Sequence, residues 1–331
     1  MVELSKEQLK DVAKSIVVGQ GNQFVKELLR DNQIPIGLNK SDFYKNMMDA
    51  IDGGRLTEVM LVAWLEEVEG WGNQHIHLHE PLARSLDEVR QLVAASDYAD
   101  LLNATAVTEF PDFLELTSIA ISEAAFTLSW HKGNSSWTRV KRKDYRDEQE
   151  GDVYEFRAFR ERSNRTVVRY EWVVGKPYSA VFIQLPNEGT LHADATNEVW
   201  RVLVELGLIE VPLPRVPLTK SVHGFRQDAA QVTATSAKLH AEGGYAEFVT
   251  TLPEGGIDQV EALRKLDRAV EDDDFPRADG KFKLSDEVHD GLSRPLTVEV
   301  IGGDSRIRLW VQCKREDVYL LTDLLWEHGL A

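Results

Sequence analysis

The chain has 331 residues, 43 % of them apolar and 28 % charged, which is the balance of a folded globular protein and excludes a disordered or fibrous chain. Its formal net charge of −17 opposes bulk attraction to polyanions, so a nucleic-acid site would have to be a local basic patch. The sequence has no apolar run long enough to span a membrane, and its first residues do not have the pattern of a secretory signal. Its single cysteine, Cys313, excludes an internal disulfide, and we expect a soluble, cytoplasmic protein without a membrane partner.

The first 70 residues are predicted to be helical. Apolar residues recur every three or four positions over 9–17, 24–29, 43–51 and 59–65, which is the spacing of one buried helix face. Pro35 and Gly37 interrupt the pattern, and Gly53 with Gly54 ends it again. This pattern predicts several short helices that pack against one another.

One stretch of this helical part, FVKELLRDNQIPIGLNKSDFYKNMMDAI (24–51), places an extended segment between two helices. The apolar, glycine and lysine positions of this stretch are Leu28, Leu29, Ile36, Gly37, Lys40 and Phe43. It resembles the SAP-type helix–extended–helix module, a small DNA-binding unit, over fewer than 30 residues. The resemblance implies DNA contact by Lys40, and Lys45 is the further base of the second helix. The alternative interpretation is a helical hairpin of a protein-interaction domain.

The next stretch, GNQHIHLHE (72–80), carries three histidines at every second position. In an extended chain such residues share one face, so His75, His77 and His79 would point the same way. We predict a short edge strand with Ile76 and Leu78 inward and the histidines toward solvent. The less favoured alternative is a metal site at these three histidines, although the run departs from the HxHxDH pattern of metallo-β-lactamases. We predict no metal and no cofactor.

The rest of the chain alternates between strand and helix patterns. A helix is expected to open at Pro81, strands are expected between 114 and 185, and a helix follows that Gly207 stops. Prolines mark 209–224 as an extended surface connector. The last part is predicted as a helix (226–241), a strand (245–252), a helix (257–271), an acidic loop (271–274), strands at 296–301 and 306–312, and a final helix.

We therefore predict an α+β protein in three parts. They are a helical N-terminal domain (1–105), a central domain with an antiparallel sheet and helices (106–210), and a smaller C-terminal α+β domain (225–331).

The strongest basic feature is the stretch 130–143, which holds five lysines and arginines and no acid. From Trp130 to Tyr170 the local net charge is +4. Phosphate attraction next to an aromatic ring is what nucleic-acid binding requires. The predicted nucleic-acid-binding residues are Lys132, Trp137, Arg139, Lys141, Arg142 and Lys143, with Lys40 and Lys45 as secondary candidates. Trp137 would stack on a base while the cations contact phosphate.

The sequence contains no nucleophile elbow, phosphate-binding loop, dinucleotide fingerprint or C-x-x-C pair, so no catalytic residue is predicted. The leading hypothesis is a non-enzymatic protein that binds DNA or RNA, or an adaptor. The alternative is an assembly subunit whose acidic faces bind a basic protein partner without nucleic-acid contact. A third, less favoured hypothesis is a metal-dependent hydrolase at the histidine run.

Overall fold

The helices come first in the chain and recur between strands. The computed structural model describes residues 4–104, 111–184, 192–252, 255–268 and 276–329. The α-helices within these ranges are α1 (Lys6–Gly19), α2 (Asn22–Asp31), α3 (Lys40–Asp52), α4 (Glu58–Val68), α5 (Leu86–Ala94), α6 (His192–Glu205), α7 (Thr219–Gln227), α8 (Glu261–Arg268) and α9 (Arg315–Gly329). Three of them, α1, α3 and α5, begin at capping boxes, in which one side chain and a residue three positions on satisfy each other's free backbone N–H groups.

Ten of the strands form one large sheet. The strands are β1 (Gly72–His79), β2 (Glu115–Ile121), β3 (Ala125–Arg139), β4 (Tyr145–Gln149), β5 (Asp152–Phe156), β6 (Phe159–Val173), β7 (Ser179–Gln184), β8 (Thr233–Ala241), β9 (Gly244–Val249), β10 (Arg277–Leu284), β11 (Leu296–Ile301) and β12 (Arg306–Gln312). Their order across the sheet is β2-β3-β6-β7-β1-β12-β11-β10-β8-β9, and β4 and β5 pair separately as a hairpin. The predicted α+β class is confirmed.

The chain divides into two compact units. Unit 1 comprises Met1–Leu65, Ala106–Thr117 and His131–Thr166, and unit 2 comprises Glu66–Thr105, Ser118–Trp130 and Val167–Ala331. The three-part division at 1–105, 106–210 and 225–331 stays a prediction. No helix in the described ranges is both long enough and apolar enough to cross a bilayer.

The hydrophobic core of unit 2 lies on one face of the sheet, which we call the first face. Every second residue of a strand points to this face, so Ile76 and Leu78 of β1 join Ile307 and Leu309 of β12 there. Helices α7 and α9 supply the opposing layer, with Val222, Phe225, Val318, Leu321 and Leu325. The inward orientation predicted for Ile76 and Leu78 is confirmed by their complete burial.

Several element predictions in unit 2 are wrong, and each error has a physical reason. The predicted edge strand β1 lies between β7 and β12 in the middle of the sheet, where both of its edges are hydrogen-bonded. Residues 233–241 form strand β8 rather than part of a helix, because pairing with β10 and β9 buries Ala234, Ala237 and Leu239. The preceding helix α7 begins at Thr219, inside the predicted connector.

Other predictions are confirmed or lie outside the described part of the chain. Strands β11 and β12 have the predicted bounds, and α9 covers the predicted final helix. Strand β10 has no counterpart in the prediction, although Ala278, Gly280, Phe282 and Leu284 alternate toward the core. The acidic loop 271–274 lies outside the described residues.

Candidate nucleic-acid interface

A basic turn follows the long strand β3 in unit 1. The chain leaves β3 at Arg139 and makes a 3-10 turn over Lys141, Arg142 and Lys143 before β4 begins. We call these three residues the basic turn. All three side chains are exposed, and within the described ranges no carboxylate lies within ion-pair distance of them. The basic turn therefore presents three adjacent positive charges to solvent.

Arg139 anchors the basic turn and does not extend its free charge. Its guanidinium lies 2.8 Å from one carboxylate oxygen of Asp144 and 3.6 Å from Glu155. The other oxygen of Asp144 accepts a hydrogen bond from the backbone N–H of Ala158, which, together with Arg139, lowers the pKa of this carboxyl. The backbone N–H of Val140 in turn donates to the carbonyl of Ala158 (2.8 Å). These interactions hold the two ends of the turn to each other and to the chain that precedes β6.

The two other residues predicted on β3 differ in accessibility. Trp137 is 65 % exposed, which leaves its ring available for stacking. Lys132 is half-buried. The structure therefore places Trp137 near the solvent-facing end of β3, close in sequence to the basic turn, and leaves Lys132 as the least accessible of the predicted cations on this segment.

The hairpin of β4 and β5 carries an aromatic face that the sequence analysis missed. Tyr145 stands opposite Phe156 in the pairing, and their rings stack at 4.8 Å with an interplanar angle of 12°. Tyr154, opposite Asp147, belongs to the same face, and all three aromatic side chains are exposed. A two-residue turn at Glu150 and Gly151, with φ of 54° and 86°, sets this register.

The signal for this face was present in the sequence, because a glycine-containing two-residue turn between short strands determines which residues pair. The segment 144–156 that contains the hairpin is acidic, with six carboxylates and a single base, Arg146. The positive charge of 130–143 therefore ends at Lys143, and the hairpin beyond it has the opposite sign.

The SAP-like segment has the predicted helix–extended–helix shape, but its two lysines differ. The ammonium group of Lys40 donates to the carbonyl oxygens of Val18 (3.2 Å) and Gln20 (2.9 Å) at the end of α1. A cation at this position satisfies carbonyls that the helix leaves free, so Lys40 has a structural role. Lys45 is exposed on α3. Membership in the SAP family stays a prediction.

The three histidines of β1 lie in unit 2 and are buried instead of facing solvent. His75, His77 and His79 are 4 %, 4 % and 2 % exposed. The Nδ1 of His79 contacts the carbonyl oxygen of Leu213 at 2.9 Å, and its ring meets the Trp200 ring of α6 edge-on at 4.6 Å. Neither ring nitrogen of His77 has a hydrogen-bond partner among the described residues.

Burial determines the protonation state of His77 and His79. Loss of solvent lowers the pKa of His77 to about 3, and the positive charges of Arg215 and of the neighbouring side chains act in the same direction. Burial likewise lowers the pKa of His79 to about 4. In the described part of the chain, no three His, Cys, Asp or Glu side chains are arranged to hold a metal ion.

The sequence matches no protein-family model and no curated protein.

Proposed function

We propose that this chain is a non-enzymatic nucleic-acid-binding protein, or an adaptor that uses the same contact, and that the basic turn binds phosphate. The observation that carries this proposal is the exposure of Lys141, Arg142 and Lys143 as adjacent cations without a carboxylate partner among the described residues. In a chain of net charge −17, most basic side chains can be neutralised internally. The three side chains of the basic turn have no such partner among the described residues, so they are available to displace counterions from a phosphate backbone.

The neighbouring residues have distinct parts in this proposal. Arg139, held by Asp144 and Glu155, positions the turn and is not a phosphate contact. Trp137 supplies an exposed ring on which an unpaired base can stack. The acidic hairpin beyond Lys143 repels the backbone of the nucleic acid and restricts contact to the turn.

The test is a binding titration with duplex DNA and with duplex RNA at several salt concentrations. The triple variant Lys141→Glu, Arg142→Glu, Lys143→Glu should bind much more weakly, and the slope of log K against log salt should fall by about three units because about one unit is lost per phosphate contact. Arg139 stays unchanged so that the anchor survives.

A matched control carries the same change of total charge elsewhere in unit 1. Lys14, Lys26 and Arg30 are exposed helix residues, and their replacement by Glu should leave the salt slope within about half a unit of the wild-type value. Equal losses in both triple variants would mean that only total charge matters. Absence of wild-type binding at low salt would refute the proposed function.

A second candidate function, protein assembly, is favoured by the exposed aromatic face of the β4–β5 hairpin. Tyr145, Tyr154 and Phe156 together present a patch that is unusual on a free surface, and aromatic side chains are enriched in interfaces. The double variant Tyr154→Ser, Phe156→Ser should abolish a protein complex and leave nucleic-acid binding intact. Mass measurement in solution, with and without candidate basic partners, distinguishes the two functions.

A further inference from the structure

The second face of the sheet in unit 2, opposite the hydrophobic core, carries mostly polar side chains on six neighbouring strands, β1, β12, β11, β10, β8 and β9. The register places His75, Arg308, Glu299, Lys281 and Ser236 in one row across the sheet. The next row runs through His77, Arg306, Ile301, Asp279, Lys238 and Glu247. Directly opposed residues share a face, so these rows define one surface.

Helix α6 covers this face over β7 and β1, and the cover stops at β12. Trp200 of α6 packs on His79, and the connector reaches β1 through the hydrogen bond from the N–H of Val216 to the carbonyl of Leu78 (3.0 Å). From β12 onward the same rows become accessible. Arg306 and Arg308 are about one-third exposed, and Lys281 is about half exposed. We call the surface of β12, β11, β10, β8 and β9 the open face.

Positive charge predominates on the open face. Its cations are Lys238, Arg277, Lys281, Lys283, Arg306 and Arg308, and its carboxylates are Asp279, Glu247 and Glu299. The ion pairs between these carboxylates and the Lys or Arg side chains are long, and the closest partner of Asp279 is the Nε2 of His240 at 3.0 Å. Glu299 lies 3.8 Å from both Lys281 and Arg308, and Asp279 lies 4.0 Å from Arg277. Such half-exposed pairs contribute little to stability, so a phosphate group can replace them at low cost.

At one end of the open face, three guanidinium groups lie around a single residue, Asp304, two of them at its carboxylate and one at its backbone carbonyl. Arg277 and Arg306 lie 3.6 and 3.7 Å from the two carboxylate oxygens of Asp304, and Arg215 donates to the carbonyl oxygen of the same residue (2.9 Å). Gly303 makes this possible, because a side chain at its position would clash with that of Arg277. Arginine binds phosphate with a planar set of donors, so this cluster fits an anionic backbone.

Two aromatic rings lie on the open face, each next to a cation. The guanidinium of Arg308 stacks 3.6 Å from the centre of the Trp310 ring, and the ammonium of Lys238 lies 4.1 Å from the centre of the Tyr245 ring. Trp310 is 40 % exposed and Tyr245 is 61 % exposed. Ring and cation together form a flat platform of the kind on which an unpaired base stacks next to its phosphate.

We propose that the open face binds a single-stranded nucleic acid, with bases on Trp310 and Tyr245 and phosphates on the arginine and lysine side chains between them. A single strand is favoured over a duplex because only unpaired bases offer their faces to aromatic side chains. Neighbouring strands are about 4.8 Å apart, so the five strands give a platform roughly 20 Å across, which suits a strand of several nucleotides. This inference extends the proposed function to a second surface and rests on it.

The test uses the full chain and fluorescently labelled oligo(dT) and oligo(U) of about 12 nucleotides, a length within the range of known single-strand sites. The double variant Trp310→Ala, Tyr245→Ala should bind at least about tenfold more weakly, with an unchanged salt slope because no cation is removed. The double variant Lys281→Glu, Arg308→Glu should instead lower the salt slope by about one to two units. Trp310→Phe should restore most of the affinity, since the ring is kept.

The basic-turn variant, Lys141→Glu with Arg142→Glu and Lys143→Glu, separates this inference from the proposed function. It should lose duplex binding and keep oligonucleotide binding. If the aromatic double variant is folded by circular dichroism and binds oligonucleotides as wild type does, while the basic-turn variant does not, the inference is wrong and the proposed function stands. If wild type binds no nucleic acid, both are wrong. If it binds poly-glutamate through Arg308 but no oligonucleotide, the open face recognises an acidic protein and the inference is likewise wrong.

Discussion

Strands β1 and β12 place very different side chains on the same face of the same sheet. His75 stands opposite Arg308, and His77 stands opposite Arg306. The two histidines are buried, with Arg215 of the connector close enough to His77 to affect its pKa, whereas the two arginines are about one-third exposed at the start of the open face. One strand spacing, about 4.8 Å, therefore separates a region without solvent from a region with it.

This difference explains why the two strands carry different ionisable groups. A histidine can lose its proton when it is buried, so the rings of His77 and His79 on β1 remain neutral at pH 7. An arginine stays charged in any protein environment and needs water or a counter-charge. The positive field of the sheet thus begins at β12, and the buried histidine row is the boundary of the proposed nucleic-acid surface.

The largest expected effect comes from placing an amine, which is positively charged in water, on the covered side. His77→Lys puts an ammonium group in a buried site next to Arg215, without a carboxylate partner among the described residues, and should lower the free energy of unfolding by roughly 3–5 kcal/mol. Arg308→Ala, one strand away, should lower it by only about 0.5 kcal/mol. Urea denaturation monitored by circular dichroism measures both.

His77→Leu is the matched control. Because neither ring nitrogen has a described partner, loss of the ring removes no hydrogen bond, and stability should stay within about 1 kcal/mol of wild type or rise. A large loss in His77→Leu would show that the ring makes a polar interaction that supports the fold. In that case the histidine row would be a polar site that stabilises the fold, and not only the boundary of the proposed nucleic-acid surface.

The second prediction concerns the pH dependence of stability. The pKa of His77 is lowered to about 3 in the folded chain, so below pH 6.5 the unfolded chain binds a proton that the folded chain does not. The stability that the neutral ring supplies is complete above pH 6.5. It falls by about 1.4 kcal/mol per pH unit between 6.5 and 3. Urea midpoints at pH 7, 6, 5 and 4.5 measure the loss.

The variant His77→Leu sharpens this test, since it removes one titrating ring and leaves His79. As the pH falls, the free energy of unfolding of His77→Leu should decrease less steeply than that of wild type, and the two slopes should differ by about 1.4 kcal/mol per pH unit. Identical slopes in the two proteins would show that other groups cause the acid sensitivity. That result would contradict the burial of the His77 ring in the folded chain.

The sequence predicted local features well and pairings poorly. The bounds of β11 and β12 and the inward orientation of Ile76 and Leu78 follow from alternation, which each strand carries in itself. The central position of β1 does not follow from alternation, because its partners β7 and β12 are far away along the chain. Strand β8 was predicted as helix because its small residues fit either period until β9 and β10 pair with it.

The two candidate surfaces, the basic turn and the open face, also differ in how far the sequence alone predicts them. Lys141, Arg142 and Lys143 are adjacent in the sequence, so the basic turn could be recognised without a structure. The open face draws Lys238, Lys281, Arg308 and Trp310 from three strands, and only the register brings them together. Its cations are isolated in sequence among alternating core residues, so no local charge run identifies them.

The smallest expected effect is on proteolysis, and it tests the cover over the histidines. Arg215 lies in a proline-rich connector, yet the flanking backbone pairs with β1 through hydrogen bonds from Glu80 to Pro214 (2.9 Å) and from Val216 to Leu78 (3.0 Å). Trypsin should therefore cut the basic turn at least about tenfold faster than Arg215, because cleavage requires local opening of the backbone. Mass spectrometry of early fragments gives both rates.

In His77→Lys the rate at Arg215 should rise, since the buried charge favours the open connector, while the rate at Lys141 should not change. Early cleavage at Arg215 in wild type would mean that the connector does not seal the covered half, and the contrast between β1 and β12 would need another cause.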